Sequence, residues 1–281
     1  MMNRKHIRLS LPSSAERTQG GFTLIELLIA MVVTTIMGGA MVASYISQQR
    51  SATIVREVAQ MQQQLRGAMY ILEYDIRLAG YNPERATDTF GITDIRRRSL
   101  ADGLPDVGGM PSLTVASDWQ PNPVDPATND NGMLDGGETS TYFLQNNPTG
   151  TTDLFQRFGD AGTAELVAEN IEHMAYAFAY ENDDGEIASD GDGIIWAFSS
   201  DGVALDRRLN NDLSEVALGA AIALNRIRMV RVWLLARSRN PAQGYLNTIA
   251  YQIPGLADPV FGDGFRRRLM VRTIDMRNPA L

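Results

Sequence analysis

Cysteine is absent from this chain, and histidine and lysine nearly are: His6, His173 and Lys5 are the whole supply of the latter two. Without thiols the chain cannot hold a disulfide framework, a thiol nucleophile, an iron–sulfur cluster or a thiolate zinc site. The compartment stays open, because exported proteins can also lack cysteine. His6 lies in a segment expected to be removed, so histidine triads and multi-histidine metal sites lack raw material. Positive charge rests almost wholly on arginine, and 25 basic residues face 33 acidic ones, a net charge of −8. No dense basic stripe offsets that balance, so nucleic acid is not an expected partner. The triplets Arg96-Arg97-Arg98 and Arg266-Arg267-Arg268 read as solvated or ion-paired loops. A Gly-x-Ser-x-Gly elbow, a glycine-rich phosphate loop, a dinucleotide fingerprint and a His-Glu-x-x-His helix are missing too. No catalytic residue is assigned, and no enzymatic activity is expected.

What the chain does have is one long apolar run. Residues 1–21 carry Arg4, Lys5, Arg8 and Arg17 against Glu16, and across the 25 residues from Phe22 to Ile46 only Glu26 is charged. A helix needs roughly 20 apolar residues to cross a bilayer. A basic flank ahead of such a run stays on the cytoplasmic side, so the remainder of the chain should face outward. Val42-Ala43-Ser44, after the run, is only a weak secretory cleavage site.

A sharper signal stands before the run: Gly20-Gly21-Phe22-Thr23-Leu24-Ile25-Glu26-Leu27-Leu28-Ile29-Ala30. This stretch resembles the type IV prepilin signal. The resemblance implies that a prepilin peptidase cuts after Gly21, that the new N-terminus at Phe22 is methylated, and that Glu26 becomes the fifth residue of the mature chain. Elementary energetics agree, because an ionised carboxylate in hydrocarbon costs about 2.5–3.5 kcal/mol even on the lenient insertion scale. Cleavage would create an ammonium group about one helical turn from Glu26, or one available to the Glu26 of a neighbouring subunit. The plainer alternative is a membrane anchor with an incidental glutamate. Losing four of the 25 basic residues and one of the 33 acidic ones leaves a mature charge of −11.

Beyond the run the helical pattern continues through Ile54, Val58, Met61, Leu65, Met69, Leu72 and Ile76, with Arg50, Arg56, Glu57, Gln63, Arg66 and Glu73 opposite. The spacing predicts one helix over residues 22–78, weakened at Gly38-Gly39 and ended by Gly80, Asn82 and Pro83. Further on, short runs between Gly, Pro, Asn and Asp predict strands at 113–116, 140–145, 154–157, 171–180, 194–198, 227–236, 245–252 and 268–276. Residues 212–224 read as a short helix. The expected organisation is a leader at 1–21, a transmembrane half-helix at 22–46, an amphipathic half-helix at 47–80 and a β-rich head at 81–281. The fold class is α+β: one long N-terminal helix laid against an antiparallel sheet with long loops at 84–112 and 117–139. That is also the pilin fold.

Several head segments narrow the resemblance: Leu72-Glu73-Tyr74-Asp75-Ile76-Arg77-Leu78-Ala79-Gly80-Tyr81, Val167-Ala168-Glu169-Asn170-Ile171-Glu172, Val230-Arg231-Val232-Trp233-Leu234-Leu235-Ala236-Arg237-Ser238, and Arg267-Arg268-Leu269 with Arg277-Asn278. They look like segments of PilW-type minor pilins. This implies a minor pilin stored in the inner membrane with its head outside, then moved into a type IV pilus, where it primes or caps assembly within a tip complex. The implied partners are the prepilin peptidase, other minor pilins and the major pilin through the helix, and an inner-membrane assembly platform. A type II secretion minor pseudopilin is the near alternative, and an anchored or exported calcium-binding or carbohydrate-acting protein the far one.

One loop carries metal-like spacing. Asn129, Asn131, Asp135 and Glu138 place side-chain oxygens, Met133 a carbonyl and Gly132 the turn in a calcium-loop register, although Ala127 stands where such loops open with aspartate. Ca²⁺ is the one cofactor considered; the alternative is a polar turn. The clusters Asn182-Asp183-Asp184-Gly185-Glu186 and Asp190-Gly191-Asp192-Gly193 read as turns. His173, alternating with Ile171 and Ala175, reads as structural.

Overall fold

The computed structural model describes residues 21–82, 90–95, 111–118, 133–135, 137–147, 150–159, 162–200, 202–256 and 260–277. Its first element is a 55-residue helix, α1 (Leu24–Leu78), within two residues of the expected start and ending where expected. The chain divides into two compact units, residues 1–53 and 54–281.

In the first unit every described residue is exposed. The helix runs unbroken through Gly38 and Gly39. Its interior polar side chains are satisfied within the helix itself: the Thr34 and Thr35 hydroxyls donate to the Ala30 and Met31 carbonyls, each at 2.7 Å. That local bonding lets threonine sit in an apolar run without an external partner.

In the second unit the helix continues and buries Met61, Leu65, Ala68, Met69, Leu72 and Ile76, the stripe expected from the three-and-four spacing. Gly80 terminates it at φ +84°, a left-handed conformation suited to glycine, and donates its N–H to the Ala116 carbonyl at 3.0 Å.

Thirteen described strands make up the rest. The first five, β1 (Gly91–Asp94), β2 (Leu113–Ala116), β3 (Thr139–Asn146), β4 (Thr152–Phe158) and β5 (Ala164–Ala168), form an antiparallel meander in chain order. A second sheet has the order β11-β10-β9-β6-β12-β13, with β6 (Ile171–Tyr180), β9 (Trp196–Phe198), β10 (Ala204–Leu209), β11 (Glu215–Ala223), β12 (Ile227–Arg237) and β13 (Arg267–Asp275). A small hairpin pairs β7 (Ser189–Asp190) with β8 (Gly193–Ile194). The head is thus built on two main sheets instead of one.

Alternation along β6 explains the layering. Met174, Tyr176, Phe178 and Tyr180 join the helix stripe, Tyr142, Leu144 and Leu154 of the meander, and Val230, Val232 and Leu234 of β12 in the main core. Ala175, Ala177 and Ala179 face the other way, into a second core with Trp233, Leu235, Tyr251 and Ile253.

Two expected elements differ. The segment 245–252 is not a strand: Tyr251 and the adjoining Ile253 bury into the second core, so its apolar residues cover a sheet face without joining a ladder. The segment 212–224 is not an α-helix: most of it is β11, antiparallel to β10, and Leu224 opens a single 3-10 turn. The turn between β10 and β11 decides this. Asn210 receives the Leu213 N–H at 2.9 Å, and Leu213 itself adopts φ +64°, reversing the chain into a hairpin before any helical turn can close. The triplet ending at Arg268 also departs from expectation, because Arg267 and Arg268 open β13, and Arg267 is buried. Its guanidinium spans Glu172 and Asp263, lies 3.7 Å from the Phe261 ring centroid, and holds the Asp263 carboxyl below its ordinary range. The ion-pair half of the expectation was right and the loop half was not. The first triplet, at 96–98, lies outside the described residues.

Candidate functional site

The N-terminal site is built by a capping box. Thr23 precedes the first helical residue, and its side-chain oxygen accepts the Glu26 N–H at 3.3 Å. Glu26 reaches back, its Oε2 accepting both the Thr23 N–H and the Thr23 hydroxyl at 2.9 Å. This role for Glu26 is legible in the sequence as Thr-x-x-Glu. It supplies two partners for the carboxylate within one chain. Gly21 and Phe22 stand just before the helix, outside any secondary structure, and Phe22 is 90% exposed.

Behind this site the run from Phe22 to Ile46 presents Leu24, Ile25, Leu27, Leu28, Ile29, Val32, Ile36 and Met41 among its exposed large side chains. A continuous apolar surface of that size is far beyond what a monomer leaves in water, and it calls for lipid or other helices. In length and composition the helix can cross a membrane.

In the head, the sequence-predicted calcium residues divide. Asn129 and Asn131 lie outside the described residues. Met133 is exposed and Asp135 half-buried, whereas Glu138 is fully buried. Glu138 Oε2 accepts the Asp135 N–H at 2.7 Å, and its main chain closes the turn by donating to the Asp135 carbonyl at 3.1 Å. Beside it is Asp118, also fully buried, a residue that the sequence reading missed because it lies 20 positions upstream. Burial first, and then the neighbouring Asp118 carboxyl, push Glu138 up to about 7 against the opposing pull of the Asp135 N–H. Among the described residues no three His, Asp or Glu side chains form a metal cage.

The other candidates resolve as structure. Asn182 Oδ1 accepts the Asp184 and Glu186 N–H groups at 3.0 and 2.9 Å, and Asp190 Oδ1 accepts the Asp192 N–H at 2.9 Å, so both acidic clusters are turns. His173 is buried, and that burial lowers its pKa and keeps the ring neutral.

The prokaryotic N-terminal methylation motif matches residues 17–42, spanning Gly21, Phe22 and Glu26. The family model for Type IV Pilus-assembly protein W matches residues 141–278, from β3 through β13. The two matches support a PilW-like type IV pilin. The methylation motif implies processing by a prepilin peptidase and assembly with other pilins. A long apolar N-terminal helix followed by antiparallel sheets is consistent with the pilin fold, and the helix fits a pilin anchored in the inner membrane that enters a pilus. No curated protein matches the sequence. Among solved structures, a type IV-like pilin from Thermus thermophilus is 13% identical, over 79% of this chain and 99% of that one, with a TM-score of 0.39.

Proposed function

We propose that this pilin is a minor subunit that primes or caps a type IV pilus as part of a tip complex with other minor pilins. The observation that carries the reading is the pairing of two features in one chain: a processing signal opening a helix whose apolar first half is exposed throughout, and a head matching the pilus-assembly family. Before assembly the apolar run from Phe22 to Ile46 is covered by lipid. On entering the filament it exchanges lipid for neighbouring helices, so burial is kept while polar partners are gained. Glu26 is the selector. It leaves or shares its bonds to Thr23 and takes the ammonium group at Phe22, its own or a neighbour's. Its function is assembly and not chemistry.

One further feature supports a terminal place. The head is large, with residues 81–281 beyond the helix, and repeating it along a thin shaft would crowd the shaft. Its acidity keeps it soluble outside the membrane.

The test is Glu26→Ala in the native host. The variant should be cleaved normally, remain in the membrane, and lose copurification with the other pilins. Copurification at the wild-type level would refute the pairing.

A further inference from the structure

We infer that the groove between the outer flank of α1 and the edge strand β13 takes an extended acidic segment of a neighbouring pilin, which adds to β13 as a further strand. The source of the segment rests on the assembly reading above; its chemistry follows from the groove. Among the described residues β13 closes the six-stranded sheet. It pairs with β12 from Arg267 to Asp275 without a bulge, so every second residue points its N–H and C=O outward, where no described strand receives them. Even-numbered residues of β13 face the helix: Met270 and Ile274 pack in the main core, and Arg272 reaches Glu73 at 2.9 Å.

Where that face meets the helix lies a groove of about 350 Å³, lined by Tyr70, Glu73, Tyr74 and Arg77 of α1 and by Arg272 and Arg277. Tyr70 is 70% and Tyr74 42% exposed, so two aromatic rings stand about one helical turn apart on its wall. Three arginines and one glutamate leave the groove positive on a chain of net charge −8. The glutamate is already engaged twice, by Arg77 at 2.7 Å and by Arg272. Arg277 is exposed and pairs with no carboxylate among the described residues, and Arg77 Nε has no acceptor among them. Arg66, one turn before Tyr70, and Arg268, on the same side of β13 as Arg272, are exposed and continue the positive flank.

Charge complementarity therefore selects a carboxylate-bearing partner, and guanidinium forks suit carboxylates. The same arginines repel a second β13, so the edge admits an acidic strand and rejects its own copy. A free nucleic acid is the weaker fit, because the surrounding negative charge repels a polyanion and an open sheet edge bonds a peptide main chain. Alternation sets the pattern: side chains of an added strand that fall on the helix side recur at alternate positions, so the segment should carry its acidic residues there.

The first experiment titrates the full processed chain in detergent with fluorescein-labelled, end-blocked peptides and reads anisotropy. The probes are alternating glutamate–threonine, a block peptide of the same composition, and alternating lysine–threonine. The alternating acidic peptide should bind best, and raising NaCl from about 50 to about 500 mM should weaken it. Arg277→Gln and Arg272→Gln should each weaken binding about fivefold, whereas Arg239→Gln, exposed outside the groove, should bind as wild type does. No binding at about 1 mM acidic peptide would overturn the inference. So would equal binding of the block or lysine peptide, unchanged affinity in folded Arg277→Gln, or tighter binding of an oligonucleotide of equal charge. The second experiment places a photo-cross-linker in the native host, as Tyr70→p-benzoylphenylalanine in the groove and Val33→p-benzoylphenylalanine in the apolar run. The Tyr70 position should join an acidic segment of another pilin. Adducts from Val33 without any from Tyr70 would overturn the partner, while absence of Val33 adducts would refute assembly itself and leave the groove to be decided by the peptides.

Discussion

Asp75 sits on the buried face of α1, where the three-and-four spacing of apolar residues gave no hint of a carboxylate. Its Oδ2 accepts the Tyr142 hydroxyl at 2.5 Å and the Gln156 Nε2 at 2.9 Å, and the Gln156 amide also donates to the Ser140 hydroxyl. The network ties the helix to β3 and β4 through polar bonds inside an apolar core. Burial raises the Asp75 pKa, and hydrogen bonds from Tyr142, Ser140 and Gln156 only partly oppose it. The native state therefore holds that proton more tightly than the unfolded chain. Stability contributed by the protonated form is present below the ordinary value of 3.8 and is lost as pH rises through the raised native value. Asp75→Asn keeps an acceptor for both donors without the charge, so it should stabilise the head at neutral pH and flatten that pH dependence. Asp75→Ala leaves a buried hydroxyl without its acceptor and should be less stable than Asp75→Asn by about 1–3 kcal/mol. Urea unfolding followed by the fluorescence of Trp196 and Trp233 between pH 4 and pH 8 reads both effects. A steeper pH slope in Asp75→Asn than in wild type would contradict the assignment. Residues of this kind escape a sequence reading because their partners, Tyr142 and Gln156, are distant in sequence and meet Asp75 only in the fold. Asp118 escaped for the same reason, whereas the Thr23–Glu26 cap is local and could have been read.

Elements with strong periodicity were legible and elements defined by tertiary cover were not. The 55-residue helix, and β2 and β6 to the residue, follow from spacing, because each must bury one stripe or face. The short edge strands β1 and β5 and the irregular β11 carry little pattern of their own. The register of β10 against β11 slips between Leu205 and Arg207, so the outer strand bulges away from its neighbour. Residues 245–252 misled in the opposite sense, since Tyr251 alternates like a strand residue yet buries in the second core with Ala175 and Ala177 without joining a ladder. The helix terminus offers a sharper test of element-level reasoning. Gly80 must adopt φ +84° while bonding to Ala116, and a side chain there pays the left-handed penalty of about 1–2 kcal/mol. Gly80→Ala should lower the stability of the head by that amount in the same urea assay and leave cleavage at Gly21 untouched. An unchanged midpoint would mean that the C-terminal cap does not hold the helix to β2.

Over the whole molecule, the two units carry two kinds of information. Residues 21–53 expose an apolar surface that the chain cannot cover alone, and the reading of leader, processing site and helix needed only local sequence because that signal is contiguous. The head from Ile54 onward buries its own core, and its family likeness runs from β3 through β13. Much of the stretch from 84 to 139, expected to form long loops, lies outside the described residues. The central claim concerns the maturation that makes the first unit usable. It is tested most directly by the intact mass and N-terminal sequence of the protein recovered from membranes and from sheared filaments. The account predicts a chain that starts at an N-methylated Phe22 in both fractions. A chain starting at Met1, or at Tyr45 after a secretory-type cut, would contradict it.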